Sequence, residues 1–483
     1  MARSSERRDR TVAGHLLNAE AQRENIRALA VAAGLSEEEA SDRLEVTVLV
    51  THDPNDPVAA VFVAEIVPIL SRTLKVVDHP TEAVSRVETE LVVGNAPSRS
   101  SSTKVFANLT VDRLVIQQTP TICQGSALPH RLMVLVVACY VSSAVINAAV
   151  GAGFPNPPPT EFEIPFDAFL PSQTHLLAPV ALDEAYLAGA GAIGNGLLWA
   201  ARHVRLVGAL NIVDDDVVSS GNLQRQVWFE RCDIGKPKAK RLAMLAQSYF
   251  PECTLKPEVC RLQQHPARND GAWLGRLIVA VDSRPARRHL QNELPGEVFD
   301  ASTTGSQEIV LHHNKQPNDH ACLSCVYPRD EAEVTHEQAV AGHLGIDVES
   351  VRQPRISLEI ARRICAKHTR LAPIEIEGIA FDTLYKQLCG SGQLKSVSGE
   401  QVVAPFAFVS VLAGALLLLE IIRRVHGIDM ERLSNEWRVN PWRPPVPQIR
   451  YLRPRRESCD CCSKSELQRE NARLWDTPII ERR

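Results

Sequence analysis

The feature that most constrains the fold is a glycine-rich turn, residues 189–194, which reads Gly-Ala-Gly-Ala-Ile-Gly and lies between two apolar runs. We predict that residues 185–190 end a strand and that residues 193–202 form a helix. Gly189 and Gly191 permit a tight strand-to-helix turn and a close approach of the backbone to phosphates. The N-terminus of the helix then offers free N–H groups and the positive end of its dipole to an anion.

A carboxylate follows this turn at the distance that a nucleotide site requires. The next predicted strand, residues 204–213, ends at Asp214, which lies 20 residues after Gly194. A carboxylate there can accept hydrogen bonds from ribose hydroxyls, and Asp216 belongs to the same acidic triplet. Up to this point the pattern suits any dinucleotide-binding protein of the Rossmann type, including an oxidoreductase.

A further group of polar residues argues against a dehydrogenase. An amide and two cations come after the carboxylate, at Asn222, Arg225 and Lys238. A triphosphate needs that density of positive charge, whereas a dinucleotide does not. Asp282 ends another apolar strand, residues 277–281, and a carboxylate at the carboxyl end of a strand is well placed to hold magnesium. The ordered set predicts a site that activates a carboxylate with ATP.

This set of motifs resembles the ubiquitin-activating, ThiF and MoeB adenylyltransferases. The resemblance rests on the glycine turn and four later motifs, at residues 214–216, 222–226, 238 and 282–287, and covers about residues 180–330 and 400–462. Ser283 and Ala192 stand where the family has Asn and often Gly. The resemblance implies ATP and Mg²⁺ as cofactors. It implies nucleotide-binding roles for Gly189, Gly191, Gly194, Asp214, Asp216, Asn222, Arg225, Gln226, Lys238 and Asp282.

Two cysteine pairs have the spacing of metal ligands, Cys322 with Cys325 and Cys459 with Cys462. Four thiolates in two such pairs form a closed tetrahedral zinc site, which is structural rather than catalytic. Cys459 lies 134 positions after Cys325, so Zn²⁺ would cross-link the C-terminal segment to the core. Cys461 is the alternative fourth ligand. Members of the family that resemble this chain carry such a site in corresponding places.

The family often passes its acyl adenylate to a cysteine, because a thioester keeps the acyl group activated. The usual place, about a dozen residues after the first cysteine pair, has no cysteine here, and an insertion of about 60 residues follows. Cys389 lies between this insertion and Pro405, which resembles the entry into the family's long apolar helix. We therefore predict Cys389 as the catalytic thiol. Cys365, on the apolar face of a predicted helix, is its rival.

The first 160 residues have their own pattern of alternating helices and strands, which is typical of an α/β domain. The predicted helices are residues 21–43, 58–74 and 130–150, and the predicted strands are residues 45–51, 74–77, 91–93, 104–109 and 113–118. This half resembles a degenerate second copy of the nucleotide domain. Residues 51–57 stand in place of its glycine turn and contain two prolines, which lack N–H groups, so we expect no ATP site there.

The predicted fold class is therefore α/β, with a Rossmann-like ThiF-type adenylation domain fused to a degenerate, inactive N-terminal α/β domain. We divide the chain into the inactive domain, residues 1–160, and the active domain, residues 161–330. An insertion with the crossover loop and candidate Cys389 follows at residues 331–399. The active domain continues, with its zinc-binding segment, over residues 400–483. We expect residues 463–483 to be a loose polar tail.

Composition limits the compartment and the partners. A net charge of −4 leaves no basic surface for nucleic acid. Twelve cysteines, four of them with metal spacing, and a charged N-terminus without an apolar core predict a cytoplasmic enzyme. Two apolar runs, residues 133–150 and 402–422, contain polar residues, so we predict two buried helices and no membrane partner.

We expect this chain to adenylate the C-terminal carboxylate of a ubiquitin-like protein, form a thioester on Cys389 and deliver it to a conjugating enzyme. Arg225 and Lys238 would neutralise charge on the phosphates and Asp282 would hold magnesium, while Asn222 orients the phosphates and Asp214 binds ribose.

Two alternatives stay open. The first is an adenylyltransferase without the thioester step, acting in sulfur transfer or on a small molecule or peptide, for which Cys389 is dispensable. The second is a nucleotide-binding scaffold without turnover, against which Arg225, Lys238 and Asp282 argue. The fused architecture resembles bacterial conjugation systems, some of which act in antiphage defence. The oligomeric state, including a homodimer, is open.

Overall fold

The computed structural model consists of two sheets, several layers of helices and a helical insertion. It describes residues 18–78, 87–120, 127–151, 154, 159–304, 307–316, 320–329, 331–353, 356–369, 371–379, 381, 384–385, 388, 404–428, 434–445 and 450–478, with the backbone alone for 331–336. Cys389, the predicted acceptor thiol, lies outside the described residues.

The helices and strands are numbered along the chain. The helices are α1 (Ala19–Ala33), α2 (Glu37–Leu44), α3 (Pro57–Leu70), α4 (Arg131–Val150), α5 (Ala192–Ala201), α6 (Lys238–Ala246), α7 (Arg284–Gln291), α8 (Leu323–Val326), α9 (Glu331–Leu344), α10 (Val348–Val351), α11 (Leu358–Lys367), α12 (Pro373–Ile376), α13 (Ala407–Val425) and α14 (Ser465–Leu474). The strands are β1 (Thr47–His52), β2 (Lys75–Val77), β3 (Thr89–Val93), β4 (Thr103–Leu109), β5 (Arg113–Gln117), β6 (Phe162–Pro165), β7 (Val180–Ala188), β8 (Leu206–Val213), β9 (Cys253–Glu258), β10 (Arg276–Val279), β11 (Glu297–Thr304), β12 (Glu308–Lys315), β13 (Glu436–Val439) and β14 (Arg450–Tyr451).

The first sheet has the order β2-β1-β3-β4-β5-β6, parallel from β2 to β4 and antiparallel from β4 to β6. Its strands and the helices α3 and α4 confirm the α/β pattern predicted for this half. The helix predicted over residues 21–43 is wrong in one respect, because it is two helices. Gly34 ends α1 with a φ of 67°, and a capping box between Ser36 and Glu39 starts α2.

The second sheet has the order β14-β13-β12-β11-β10-β7-β8-β9. The five neighbouring strands β11, β10, β7, β8 and β9 run parallel. Strands β12, β13 and β14 continue the sheet beyond β11 as antiparallel neighbours. From β7 the chain first adds β8 and β9 on one side, and then returns to add β10 on the other. This reversal makes a switch point between β7 and its neighbours, and a crevice forms outside the carboxyl ends of the strands there.

Two apolar helices pack against each other, and the described parts of both apolar runs form buried helices as predicted, except that residues 404–406 precede the second helix. By length and composition α4 is the one described helix that could cross a membrane, and 83% of its apolar window is buried inside the fold. The described residues of α13 are buried almost throughout. Gly196 on α5 faces α13 so closely that a Cβ there would come within 2.5 Å of the Ser410 carbonyl oxygen.

The insertion and the C-terminal segment each pack in an ordered way. Helices α9 to α12 surround a small apolar core of their own, which includes Leu344, Ile364 and Tyr385.

The expectation of a loose tail is wrong for the described residues up to 478. Residues 465–474 form α14, and the Trp475 indole N–H donates to the Leu294 carbonyl oxygen at 2.8 Å.

Candidate active site and metal centre

The glycine turn connects β7 to α5 at the switch point of the second sheet. Gly189 has a φ of 104°, and a Cβ there would lie 2.7 Å from the Ala280 carbonyl oxygen, so only glycine fits. Gly191 is the N-cap residue of α5, and no described atom lies within 4 Å of the position of an added Cβ. A ligand can therefore approach the backbone at the start of α5, as the sequence predicts for phosphates.

Asp214 follows β8 directly and contacts the glycine turn, because Val213 pairs with Ala188 at the ends of the two strands. Its Oδ2 accepts from the Ala190 N–H at 2.7 Å, and its Oδ1 accepts from the Asp216 N–H at 2.8 Å. Burial raises the pKa of Asp214 to about 6, against the influence of the nearby Lys238 ammonium. Besides its expected ribose contact, Asp214 therefore holds the glycine turn.

Lys238 is the first residue of α6 and points its charge at the acidic triplet. Its side chain is largely buried, and its Nζ lies 3.0 Å from Asp216 Oδ2. The Lys238 N–H also donates to the Asp216 carbonyl oxygen at 2.9 Å. Asp214, Asp216 and Lys238 thus form one cluster at the carboxyl edge, although Lys238 comes 24 residues after Asp214 in the sequence.

Asn222 and Arg225 lie on a compact loop, residues 219–229, which we call the phosphate loop. Asn222 Oδ1 accepts from the Ser219 N–H at 3.2 Å, and Arg225 Nη1 donates to the Gly221 carbonyl oxygen at 3.1 Å. Burial lowers the pKa of Arg225, while the charges of Glu24 and Asp282 oppose this shift. Arg225 therefore lies within electrostatic reach of Asp282, which comes from a different strand.

Gln226 is a predicted nucleotide contact whose side chain is buried in the protein. Its side chain is 2% exposed, and its Oε1 has no hydrogen-bond partner among the described residues. Its neighbour in the loop, Gln224, donates from Nε2 to the Pro405 carbonyl oxygen at 3.2 Å. The phosphate loop is thereby joined to the segment that leads into α13.

Asp282 follows β10 and is exposed at the carboxyl edge, beside the glycine turn. Ser283, which replaces the family's Asn, is the N-cap residue of α7 and accepts from the Ala286 N–H at 3.2 Å. The buried Arg287 donates to the carbonyl oxygens of Val281 and Ala301 and pairs with Asp300. This arginine fixes the end of β10 and so the position of Asp282.

Asn195 is a site residue that the sequence reasoning did not single out. Its side chain is fully buried on α5, and its Nδ2 donates to the carbonyl oxygens of Ala190 and Gly191 at 2.9 and 3.0 Å. A buried polar side chain of this kind needs hydrogen-bond partners. The position of this amide among apolar neighbours in the sequence could have indicated its role.

The corresponding place in the first sheet is already filled by the protein itself. After β1 the chain reaches Asp56, whose carboxylate caps α3 by accepting from the N–H groups of Val58 and Ala59 at 2.9 and 3.1 Å. A Cβ on Gly94 would lie 2.9 Å from the same carboxylate. A negative charge therefore occupies the helix N-terminus where a phosphate would have to bind.

The predicted zinc ligands form a second cluster, between the end of β12 and the C-terminal segment. The Sγ atoms of Cys322, Cys325, Cys459 and Cys462 all lie within 4.8 Å of one another. Three of the Sγ–Sγ distances are 3.8, 3.6 and 3.3 Å. Four sulfurs around zinc, at the usual bond length, would be about 3.8 Å apart, so the arrangement fits this metal.

Backbone donors around the thiol cluster favour thiolates. The Arg456 N–H donates to Cys325 Sγ at 3.3 Å, and the Cys461 N–H donates to Cys459 Sγ at 3.4 Å. Such donors stabilise the negative charge that a metal-bound thiolate carries. The group that fits a metal is completed by Cys462, while the Cys461 backbone N–H donates to Cys459 Sγ and the Cys461 thiol contacts Cys322 from outside this group.

Of the two candidate acceptor thiols, the described residues include only Cys365. It lies on α11, which confirms the predicted helix, and it packs against the apolar core of the insertion. Burial raises the pKa of this thiol, with a smaller contribution from Glu375. Cys365 is therefore a poor source of thiolate at neutral pH.

Comparison with known proteins identifies relatives for both halves of the chain. The model of the ThiF family matches residues 183–461, and the model of the E1 N-terminal domain matches residues 17–166.

Three curated relatives illustrate the range of similarity. Protein y4jF of Sinorhizobium fredii is 32% identical over 285 residues, which cover 55% of this chain and 53% of that protein. The SAMP-activating enzyme E1 of Haloferax volcanii is 28% identical over 159 residues, covering 33% and 58%. The NEDD8-activating enzyme E1 catalytic subunit of Dictyostelium discoideum is 34% identical over 109 residues, covering 22% and 24%. The chain thus spans about half the length of the first two relatives and about a quarter of the third.

Proposed function

This chain belongs to the ThiF family, and from that premise we propose that it activates the C-terminal carboxylate of a ubiquitin-like protein with ATP. The acyl adenylate is then converted to a thioester on Cys389 and delivered to a conjugating enzyme. A cytoplasmic location, expected from the composition, and a place in an antiphage conjugation system, expected from the resemblance alone, belong to the same proposal, which leaves the oligomeric state open.

One observation carries the adenylation step. At the switch point of the second sheet, the open glycine turn lies between Asp214 on one neighbouring strand and Asp282 on the other. Two cations, Arg225 and Lys238, come from separate segments and lie near these two carboxylates. A site with an anion-binding helix start, two cations and an exposed carboxylate matches the needs of a metal-bound triphosphate.

The reaction follows from this arrangement. A carboxylate oxygen of the substrate attacks the α-phosphorus of ATP, and the bond to the pyrophosphate oxygen breaks. Arg225 and Lys238 neutralise the negative charge that develops on the phosphates. Asp282 would hold Mg²⁺, since an exposed carboxylate suits a hard cation, and the bound ion would withdraw charge from the phosphate oxygens.

The thioester step follows at the crossover segment. The thiolate of Cys389 attacks the acyl carbon, and AMP leaves with the bonding electron pair. The contact of Gln224 with Pro405 supports this proposal, because it joins the phosphate loop to the chain that follows Cys389. Pro405, which comes 16 positions after Cys389 in the sequence, therefore lies close to the phosphate loop.

The experiment is ATP–pyrophosphate exchange, measured with a panel of ubiquitin-like proteins. Exchange should require a free C-terminal carboxylate, so the same protein with an amidated C-terminus is the matched substrate control. Lys238→Met should abolish exchange. Lys236→Met should not, because that lysine is half-exposed and pairs with Asp233 instead of the acidic triplet. Exchange that persists with the amidated protein or in Lys238→Met would contradict the proposal.

The alternative function, adenylation without a thioester, applies to a sulfur carrier, a small molecule or a peptide. It is favoured by the state of Cys365, which the surrounding helices and a raised pKa make a poor acceptor. If Cys389 also proves dispensable, adenylation is the whole reaction. The two functions therefore differ in whether a thiol-sensitive adduct forms.

A further inference from the structure

Arg72, in the turn after α3, is a charged side chain in the interior of the protein. Its relative exposure is 6%, although it belongs to the N-terminal half, far from the nucleotide motifs in sequence. A buried guanidinium is costly unless its N–H groups have acceptors. Arg72 therefore requires an explanation that the proposed reaction does not yet give.

The acceptors of Arg72 are carbonyl oxygens of the phosphate loop. Its Nη1 donates to Leu223 at 2.7 Å and to Phe229 at 3.0 Å, and its Nη2 donates to Val227 at 3.0 Å. The guanidinium is planar and rigid, so three bonds to one group fix the relative positions of these carbonyls. They flank Arg225, the cation assigned to the phosphates.

Arg72 is itself held in place by α1. The side chain of Asn25, fully buried on that helix, donates from Nδ2 to the Arg72 carbonyl oxygen at 2.8 Å. On the same helix Glu20 and Glu24 lie against Gly221, and the charge of Glu24 acts on Arg225. Helix α1 and Arg72 together support the phosphate loop from the N-terminal half.

We propose that Arg72 is a positioning residue, which orders the phosphate loop so that Arg225 meets the phosphates of ATP without rearrangement. The inference rests on the proposed nucleotide site and adds a second part of the chain to it. The N-terminal half, in which Asp56 occupies the corresponding helix start, thereby serves the site of the other half. An ordered cation loses less conformational entropy when the nucleotide binds.

The test is a double-mutant cycle read out by ATP binding in the presence of Mg²⁺, with the full-length chain. Arg72→Met should raise the dissociation constant about tenfold. Arg72→Lys should fall short of wild type as well, because one ammonium group cannot span the same acceptors. Adding Arg72→Met to Arg225→Met should change the dissociation constant by less than about twofold, since Arg72 acts through Arg225.

Arg423→Met is the matched control for general destabilisation. That arginine is also buried and donates to a backbone carbonyl, of Phe169, but it lies near the amino end of β7, away from the crevice. It should lower the melting temperature without changing ATP affinity. If Arg72→Met does not fold, Arg72→Lys carries the test against the same control.

The outcomes separate this inference from the proposed function. If wild type binds ATP and Arg225→Met weakens binding, unchanged affinity in Arg72→Lys and Arg72→Met overturns the positioning role. Effects of Arg72 and Arg225 that simply add would overturn it too. If wild type binds no ATP, or if Arg225→Met binds like wild type, the proposed site itself fails, and the positioning role fails with it.

Discussion

The backbone N–H of Trp228 donates to Asn195 Oδ1 at 3.2 Å, and this hydrogen bond joins the phosphate loop to the helix that starts at the glycine turn. The same amide donates through Nδ2 to two carbonyl oxygens of that turn. One buried side chain thus connects the two parts of the site that face the phosphates.

Asn195→Ala should therefore weaken ATP binding as well as the fold. The loss of its hydrogen bonds should lower the free energy of unfolding by about 1–3 kcal/mol, because buried partners stay unsatisfied. Asn211→Ala is the control, since Asn211 is another buried amide, inside β8, that donates to Glu184 and Ala185. Calorimetry with ATP should show weaker binding for Asn195→Ala alone, and equal affinities would argue against this connecting role.

Asp282→Ala should abolish magnesium-dependent pyrophosphate exchange and leave the fold intact. The side chain is exposed, so its removal should change the melting temperature by little. Asp282→Asn, which keeps the shape and removes the charge, should be inactive as well, because the amide is a poor ligand for magnesium. Wild-type exchange in either variant would remove Asp282 from the mechanism.

Elemental analysis should find about one zinc per chain, bound by the four thiolates. Cys322→Ser and Cys462→Ser should lose the metal and lower the melting temperature, because the C-terminal segment is no longer tied to the core. Cys461→Ser should keep the zinc, since the four sulfurs that lie together belong to the other cysteines, while Cys461 contacts them by its backbone N–H and a thiol hydrogen bond to Cys322. A wild type without metal would contradict the site, and loss of zinc in Cys461→Ser would contradict the choice of Cys462.

Cys389→Ala should still exchange pyrophosphate but form no adduct that a reducing agent cleaves. Cys365→Ala should form the adduct like wild type, because burial raises the pKa of that thiol. Gel analysis with ATP, magnesium and the ubiquitin-like protein, with and without reductant, separates the two variants. An adduct lost only in Cys365→Ala would move the nucleophile to the insertion, and no adduct at all would favour adenylation alone.

Titration with labelled ATP should give one site per chain. In the N-terminal half the Asp56 carboxylate already occupies the start of α3, and it repels a phosphate. Asp56→Ala should cost about 1 kcal/mol of stability through the lost cap and should leave the number of sites at one. Two sites of similar affinity in wild type would mean that residues 51–57 bind phosphate after all.

The sequence by itself determined the parts whose requirements are local. The glycine turn needs residues without a side chain, the carboxylates Asp214 and Asp282 come directly after apolar strands, and the four clustered cysteines come in short-spaced pairs. The α/β class of both halves also followed from local patterns. The break between α1 and α2 at Gly34 and the packing of residues 465–478 were missed, because a single capping residue or one docked tryptophan changes little in the local pattern.

Only the tertiary structure decided which residues hold the site together. Arg72 lies about 150 positions before the carbonyls that it binds, and Gln224 lies 181 positions before Pro405. No periodicity marks such a contact, because a lone arginine or glutamine in the sequence looks like a solvated surface residue. Its meaning depends on burial and on the direction of distant carbonyl groups, and these are properties of the packed chain alone.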